Sequence, residues 1–211
     1  MNERDEDTGE LSLTEDPDWI RASTWLAGET DQPPPDAPLL ALFGVPLSQA
    51  SISPSQAHLT PAAVRSALRR FSTFAALPGG ETVALESVRL LDLGDLDLQD
   101  LPNRIAQEVV AEAVGELAVV EGIPMTPDLV ILLGGDNALT RPALRALAGD
   151  LSRAGLLTLD AHHDVRGFHA GPTNGTPVRG LIEDGLPGRN VVQIGLGAFS
   201  NSAAHRGWAE R

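Results

Sequence analysis

Strand-like apolar runs that alternate with amphipathic helical stretches predict an α/β fold on a mostly parallel sheet covered on both faces. Two observations carry this. The strand-like runs, such as LLALFGV (residues 39–45) and LVILL (129–133), are almost continuously apolar, as strands buried on both sides must be. The stretches between them have helical length and spacing, and no internal repeat suggests a solenoid.

The elements follow in order from Leu39. Residues 39–45 form a first strand. TPAAVRSALRRF (60–71) reads as a helix with Thr60 as N-cap and Pro61, pre-set in φ, at the first helical position. SVRLLDLGD (87–95) is a strand, and PNRIAQEVVAEAVGELAVVEG (102–122) a long amphipathic helix ended near Gly122. DLVILLGGD (128–136) is a buried strand running into a glycine turn, followed by a helix over 141–151. GLLTLDAHHD (155–164) reads as a strand, residues 177–185 as a short helix and 190–197 as a further strand.

Residues 1–38 read as an acidic, Pro-rich lead to one α/β domain over 39–211. Their DQPPPDAP (31–38) is a stiff, extended linker, and DPDWIRASTWLAG (16–28) a short helix that docks Trp19 and Trp25 on the body.

Bulk composition narrows the function. The chain has 211 residues, 42% of them hydrophobic, enough for one domain with a real core. Without cysteine, disulfide and thiolate chemistry are excluded. A net charge of -14 argues against nucleic acid, whose phosphates want a basic face. All 15 basic residues are arginine, which removes a Schiff-base or P-loop lysine. No run approaches the ~18 apolar residues of a membrane helix. The acidic start is no secretory signal, so the expected compartment is the cytoplasm and no membrane partner is expected.

Ligands of open parallel sheets sit beyond the carboxyl ends of the strands, so polar residues just after apolar runs deserve reading. Three places qualify: Asp92 and Asp95; Asp136 and Asn137; and Asp160, His162, His163 and Asp164. In an extended strand, residues two apart are separated by roughly 6.6–6.8 Å. Ligands of one ion lie no more than about 4.4 Å apart. The chain must therefore bend past Asp160, or the side chains converge, or two ions share them. Oxygen-rich ligation with one imidazole suits Mn, Mg or Fe. The same residues also fit a plain turn, with Asp160 as its cap and His162 simply hydrogen-bonded.

LLGGDNALT (132–140), LDAHHDVR (159–166) and NGTPVRGLI (174–182), in this order and spacing, resemble the ureohydrolase family of arginases, agmatinases and formimidoylglutamases. LFGVPLSQASISPSQAHLTPAAVRSAL (42–68) is similar to that family's first strand, loop and helix. The resemblance runs from about Leu39 to Gly197. It implies a three-layer α-β-α fold, a binuclear Mn centre and a hydroxide bridging the ions that attacks a guanidino or formimidoyl carbon of a small-molecule substrate. Asp160, His162 and Asp164 fall on metal ligands of that motif. Asp160 and Asp164 are the carboxylates that bridge, and so hold the hydroxide between the ions.

Asn137 stands where the family usually carries a His ligand and implies a weaker one. Asn174 stands where guanidino hydrolases carry a loop His, and is assigned to substrate; both Asn residues also suit plain turns. Arg166 resembles the motif ending of formimidoylglutamases, where a guanidinium can hold a glutamate-like carboxylate in a two-point fork; an ordinary surface Arg is the alternative. The resemblance therefore points to formimidoylglutamate hydrolysis to glutamate and formamide in histidine degradation, with a guanidino hydrolase as the alternative. By family analogy the assembly is a trimer or hexamer. His58, His163, His169 and His205 have no motif support and read as loop or surface residues, and Arg179 as exposed on its helix.

The family's second metal motif, D-x-D-x-x-D, does not occur after Gly197. The string DLDLQD (Asp95, Asp97, Asp100) matches it but precedes the GGD turn, and reads as a solvated turn before a helix. The chain thus resembles the first two-thirds of a ureohydrolase, truncated at its C-terminal strands. The expectations are an incomplete second metal site, exposed apolar edge and, as a further alternative, an inactive remnant binding at most one ion.

Overall fold

The computed structural model describes residues 16–117 and 126–211; the acidic first residues and the expected helix end near Gly122 lie outside them. In chain order the elements are α1 (Ala22–Leu26), β1 (Leu39–Val45), α2 (Thr60–Ala67), β2 (Phe74–Ala76), β3 (Thr82–Ala84), β4 (Arg89–Asp95), α3 (Asn103–Glu116), β5 (Leu129–Gly134), α4 (Thr140–Ala148), β6 (Leu156–Leu159), α5 (Pro177–Glu183), β7 (Val191–Ile194) and α6 (Ala203–Ala209).

By internal contact the chain divides in two. One unit joins the described part of Met1–Pro38 to Arg65–Leu90; the other is Leu39–Val64 with Leu91–Arg211. The first unit holds α1 and an antiparallel hairpin in which Phe74 pairs with Ala84 and Ala76 with Thr82. The hairpin has no counterpart in the sequence reading, because its strands are three residues long and largely exposed, leaving no apolar alternation. Trp25 is buried in α1, but Trp19 is 49% exposed. Trp19 precedes the helix, in a turn closed by its own N–H on the Asp16 carbonyl.

The second unit carries the parallel sheet, in two pieces: a three-stranded sheet ordered β4-β1-β5 and a pair β6-β7. β1 and β5 run parallel, from Leu40 opposite Leu129 to Val45 opposite Gly134. β6 and β7 run parallel, from Leu156 opposite Val191 to Leu159 opposite Ile194. Alternate β1 residues Ala41, Phe43 and Val45 face a core shared with Ala106, Val110 and Val114, every fourth residue along α3, and with Ala143 of α4. From the opposite face Pro61 of α2 approaches Gly44, where an added Cβ would lie 2.8 Å from the proline's own. Helices thus flank both faces of β1, giving the three layers. A second core sets Leu181 of α5 and Leu151 beneath Leu156 and Val191.

The other face of β6–β7 is bare. Leu157, Leu159, Val192 and Ile194 all point outward, Leu159 at 78% exposure. No described helix is long and apolar enough to cross a membrane.

Thr60 is not the N-cap of α2. A 3-10 turn, Ala57–Leu59, runs directly into the helix, and Thr60 already has helical φ and ψ of -57° and -46°. The cap is Gln56, four residues upstream of Thr60, and the Ser55 hydroxyl accepts the Ala57 N–H at 3.1 Å.

Candidate metal centre

The turn after β5 is built by a backbone approach that only glycine permits. Gly135 donates to the Val45 carbonyl and Asp136 to that of Leu47, at 2.8 and 2.7 Å. A Cβ at Gly135 would lie 1.9 Å from the Leu47 oxygen. Asp136 emerges from this turn 6% exposed. Its carboxylate accepts the Ala138 N–H at 3.0 Å and the Ser51 hydroxyl at 2.9 Å, so it braces the entry to α4. Burial raises its pKa, and those two bonds oppose the rise.

β6 stops at Leu159, so Asp160, His162 and Asp164 lie on a loop rather than on the strand expected to reach residue 164. The cause is local. The Asp160 carboxylate accepts the N–H of His162 at 2.8 Å, an Asx-type turn that bends the chain immediately. The same oxygen meets His162 Nδ1 at 3.2 Å. A carboxylate only accepts, so the contact is a hydrogen bond when Nδ1 carries a proton. Asp164 then adopts φ of 52°, a left-handed conformation that Asp tolerates better than most residues. The chain therefore bends past Asp160, the first of the three ways considered above.

Asn137, at the end of the β5 turn, reaches across to this loop. Its Nδ2 donates to Asp164 Oδ2 at 2.5 Å while its Oδ1 accepts the Thr140 hydroxyl at 2.6 Å. Asp164 is pushed up to about 6, first by burial and then by the charge of Asp160. The Asn137 bond and the charges of His162 and Arg166 pull the other way and do not cancel it. The site is short of positive charge.

His162, Asp164, Arg166 and Asn174 line one cavity of about 260 Å³, with Ile52, Ser53, Asn201 and His205. Asp160 and Asn137 are tied to it through His162 and Asp164. Arg166 is exposed and threads past Gly175, where a Cβ would lie 2.6 Å from the Arg166 Cδ. Asn174 spends its Oδ1 on the N–H of Ile52 at 3.1 Å, fastening the β1 loop to the cavity rim.

His205 escaped the sequence reading as a cavity residue. Ser202, which caps α6 by accepting the His205 N–H at 3.1 Å, was the available signal for that helix. His163 is not a surface residue: it is 9% exposed, with Nδ1 at 2.7 Å from Gln193 Oε1. Arg179 is half-buried, its guanidinium 5.2 Å above the Trp208 ring and bonded to Glu183. Asp95 ends β4, and Asp97 and Asp100 lie in the loop after it; all three are exposed.

Two carboxylates and an imidazole are donor types a divalent cation takes, and a cation would oppose the burial and the Asp160 charge that hold Asp164 high. By donor chemistry the residues fit. Among the described residues no three His, Asp or Glu side chains are drawn together tightly enough to hold an ion as they stand. Asn137 already occupies one of the Asp164 oxygens that an ion would use.

Comparison with known proteins places the chain in a family. The chain is 38% identical to the formimidoylglutamase of Halalkalibacterium halodurans over 179 residues, covering 81% of this chain and 52% of that one. It is 37% identical to that of Bacillus subtilis over 174 residues, with the same coverage. It therefore spans about half the length of these curated relatives. The crystal structure of the B. subtilis formimidoylglutamase superposes with a TM-score of 0.75 at 32% identity, covering 94% of this chain and 60% of that one. The Trypanosoma cruzi formiminoglutamase with Mn2+ shares the fold, with a TM-score of 0.68 at 24% identity over 91% of this chain and 62% of that one. The arginase-family model matches residues 39–211. The chain belongs to the arginase family.

Proposed function

We propose that this chain is a manganese-dependent hydrolase of linear amidine C–N bonds, with residues 39–211 as its hydrolase domain and 1–38 as a lead. Its reaction takes formimidoylglutamate and water to glutamate and formamide, in the cytoplasm, during histidine degradation. The observation that carries the reading is the single cavity lined by His162, Asp164, Arg166 and Asn174. Identity of 38% and 37% to two bacterial formimidoylglutamases supports the substrate. Manganese in the T. cruzi structure supports the metal.

Asp160, His162 and Asp164 would hold the metal, with Asn137 a weak fourth donor once its amide turns. Bound there, the metal would supply a nucleophile by lowering the pKa of water toward neutrality. The protein's own residues do the rest. Asp164 gives up its proton as the positive charge arrives. Asp160 orients the His162 ring through Nδ1. Arg166 offers a planar fork to a substrate carboxylate, and Asn174 holds the loop at Ile52 that closes the cavity rim.

A second reading is an inactive chain that takes at most one ion. It is favoured by the lack of three converged donors among the described residues and by Asn137 pointing a donor at Asp164. One experiment separates the readings. The purified chain is loaded with Mn2+, its metal content measured, and formamide or urea release followed with formimidoylglutamate, agmatine and arginine. Two equivalents of metal with formamide release support the first reading. Urea release redirects it to a guanidino hydrolase, and less than one equivalent without turnover leaves the second.

A further inference from the structure

Asn201 lies in the loop between β7 and α6, outside every motif described above. Its side-chain amide makes two hydrogen bonds, both to the backbone of the metal-candidate loop. Nδ2 donates to the Ala161 carbonyl at 2.9 Å, and Oδ1 accepts the His163 N–H at 2.9 Å. These belong to the two peptide groups on either side of the His162 Cα. The first peptide plane sets φ of His162 and the second sets ψ. One rigid amide therefore fixes both.

Neighbouring bonds hold the same loop, one of them on the same Ala161 carbonyl, but leave the His163 N–H to Asn201. Gly197 donates to the Ala161 carbonyl at 2.9 Å, and Gln193 donates to the His163 carbonyl at 3.1 Å. Neither touches the His163 N–H, the group that governs the rotation after His162. Asn201 also lines the cavity with His162, Asp164 and Arg166, so the grip is exerted at the site itself.

We propose that Asn201 is the positioning residue of His162, holding its imidazole where a divalent cation at the site can use it. This rests on the metal reading given above. The pattern needs one donor and one acceptor a fixed distance apart, which an amide supplies and a carboxylate does not. In Asn201→Asp the acceptor for the His163 N–H survives. The donor to Ala161 is replaced by an oxygen facing an oxygen. That repulsion displaces the peptide before His162 while the His162 side chain is chemically unchanged.

The test uses the full chain and Mn2+ alone, and has two arms. In metal-free protein, amide and ring resonances of His162 are compared between parent and Asn201→Asp by NMR. The expected result is shifting or broadening at His162 with core signals such as Leu181 unmoved. In the second arm Mn2+ affinity is measured for the parent, Asn201→Asp, His162→Ala and the double variant. Asn201→Asp is expected to weaken binding between about ten- and a hundredfold, the range for residues that orient a ligand. In the His162→Ala background the same change is expected to add nothing.

Unchanged His162 resonances overturn the proposal, as does unchanged Mn2+ affinity or an equal loss with and without the imidazole. If the parent takes up no Mn2+, the metal reading falls, and the NMR arm alone decides whether Asn201 fixes His162. Asn201→Ala removes both bonds without adding charge and carries the same readouts should the charged variant not fold.

Discussion

The Asn137 amide nitrogen stands 2.5 Å from Asp164 Oδ2, joining the turn after β5 to the loop after β6. It is a donor aimed at a carboxylate that a metal reading needs for itself, so the contact competes with an ion. Replacing Asn137 by His exchanges a neutral amide for an imidazole that can present a lone pair. Asn137→His is expected to tighten Mn2+ binding at least tenfold, measured by calorimetry. Asn137→Ala is expected to raise the Asp164 pKa further, because the bond it removes lowers it. A carboxyl carbon titration reads that directly.

The position of Asp164 makes stability and metal uptake run oppositely with pH. Its folded pKa is about 6 against an ordinary 3.8, so between those values the folded state binds more protons than the unfolded one. The stabilisation from protonated Asp164 is complete below the unfolded value and is lost as pH rises through about 6. In metal-free protein, Asp164→Asn is expected to flatten the parent's fall in denaturant midpoint between pH 4 and 7. Mn2+ needs the carboxylate, so parent uptake should instead climb through pH 6. A parent-minus-variant difference that grows with pH in the metal-free state would contradict the assignment.

How much of this was legible in the sequence depends on the range of the interactions. The strand beginning at Leu39 and the apolar stripe through Ala106, Val110 and Val114 were readable, because periodic burial leaves a periodic sequence. The order GGD then DAHHD located the loops that carry the site. Composition could not fix where β6 ends, since the stop at Leu159 depends on which backbone group the Asp160 side chain chooses. Asn201 is a single polar residue in a polar loop. Its partners, Ala161 and His163, are some forty residues away, and only folding brings them together.

Arg166 gives a test of substrate recognition that leaves its charge in place. Its Cδ would lie 2.6 Å from a Cβ at Gly175, and a flexible side chain can swing away from such a clash. Gly175→Ala is therefore expected to fold normally but to displace the guanidinium. Under the formimidoylglutamate reading, losing a two-point carboxylate contact costs about 1.5–3 kcal/mol, or roughly 10- to 150-fold in KM. Arg166→Ala should show a similar rise, and the pair combined little more than either alone. Strictly additive effects would mean that Gly175 acts on something other than Arg166.

The exposed and buried leucines of the β6 region separate packing from surface. Leu181 is fully buried beneath β6 and β7, so Leu181→Ala is expected to cost about 2–5 kcal/mol in urea unfolding. Leu159 is 78% exposed, and Leu159→Ser should stay within about 0.5 kcal/mol of the parent. With Leu157, Val192 and Ile194 it forms a contiguous apolar face of the kind that mediates association. Leu159→Ser combined with Ile194→Ser is expected to lower dye binding and concentration-dependent self-association, read by light scattering.

Gly135→Ala is the counterpart of the Gly175 change and should end differently. Here the added methyl meets backbone: the Leu47 oxygen at 1.9 Å and its nitrogen at 2.5 Å. No rotamer can relieve that, so the end of β1 and the turn after β5 must part. Two hydrogen bonds go with them, from Gly135 to Val45 and from Asp136 to Leu47. The expected cost is above about 2 kcal/mol in urea unfolding, in the range of overpacking plus lost buried bonds. Because Asn137 follows two residues later, the change should also loosen its grip on Asp164. The Asp164 pKa should move upward in the fraction that folds, as it does in Asn137→Ala. A Gly135→Ala protein with parental stability and an unmoved Asp164 would show that the turn tolerates a side chain and does not control the site.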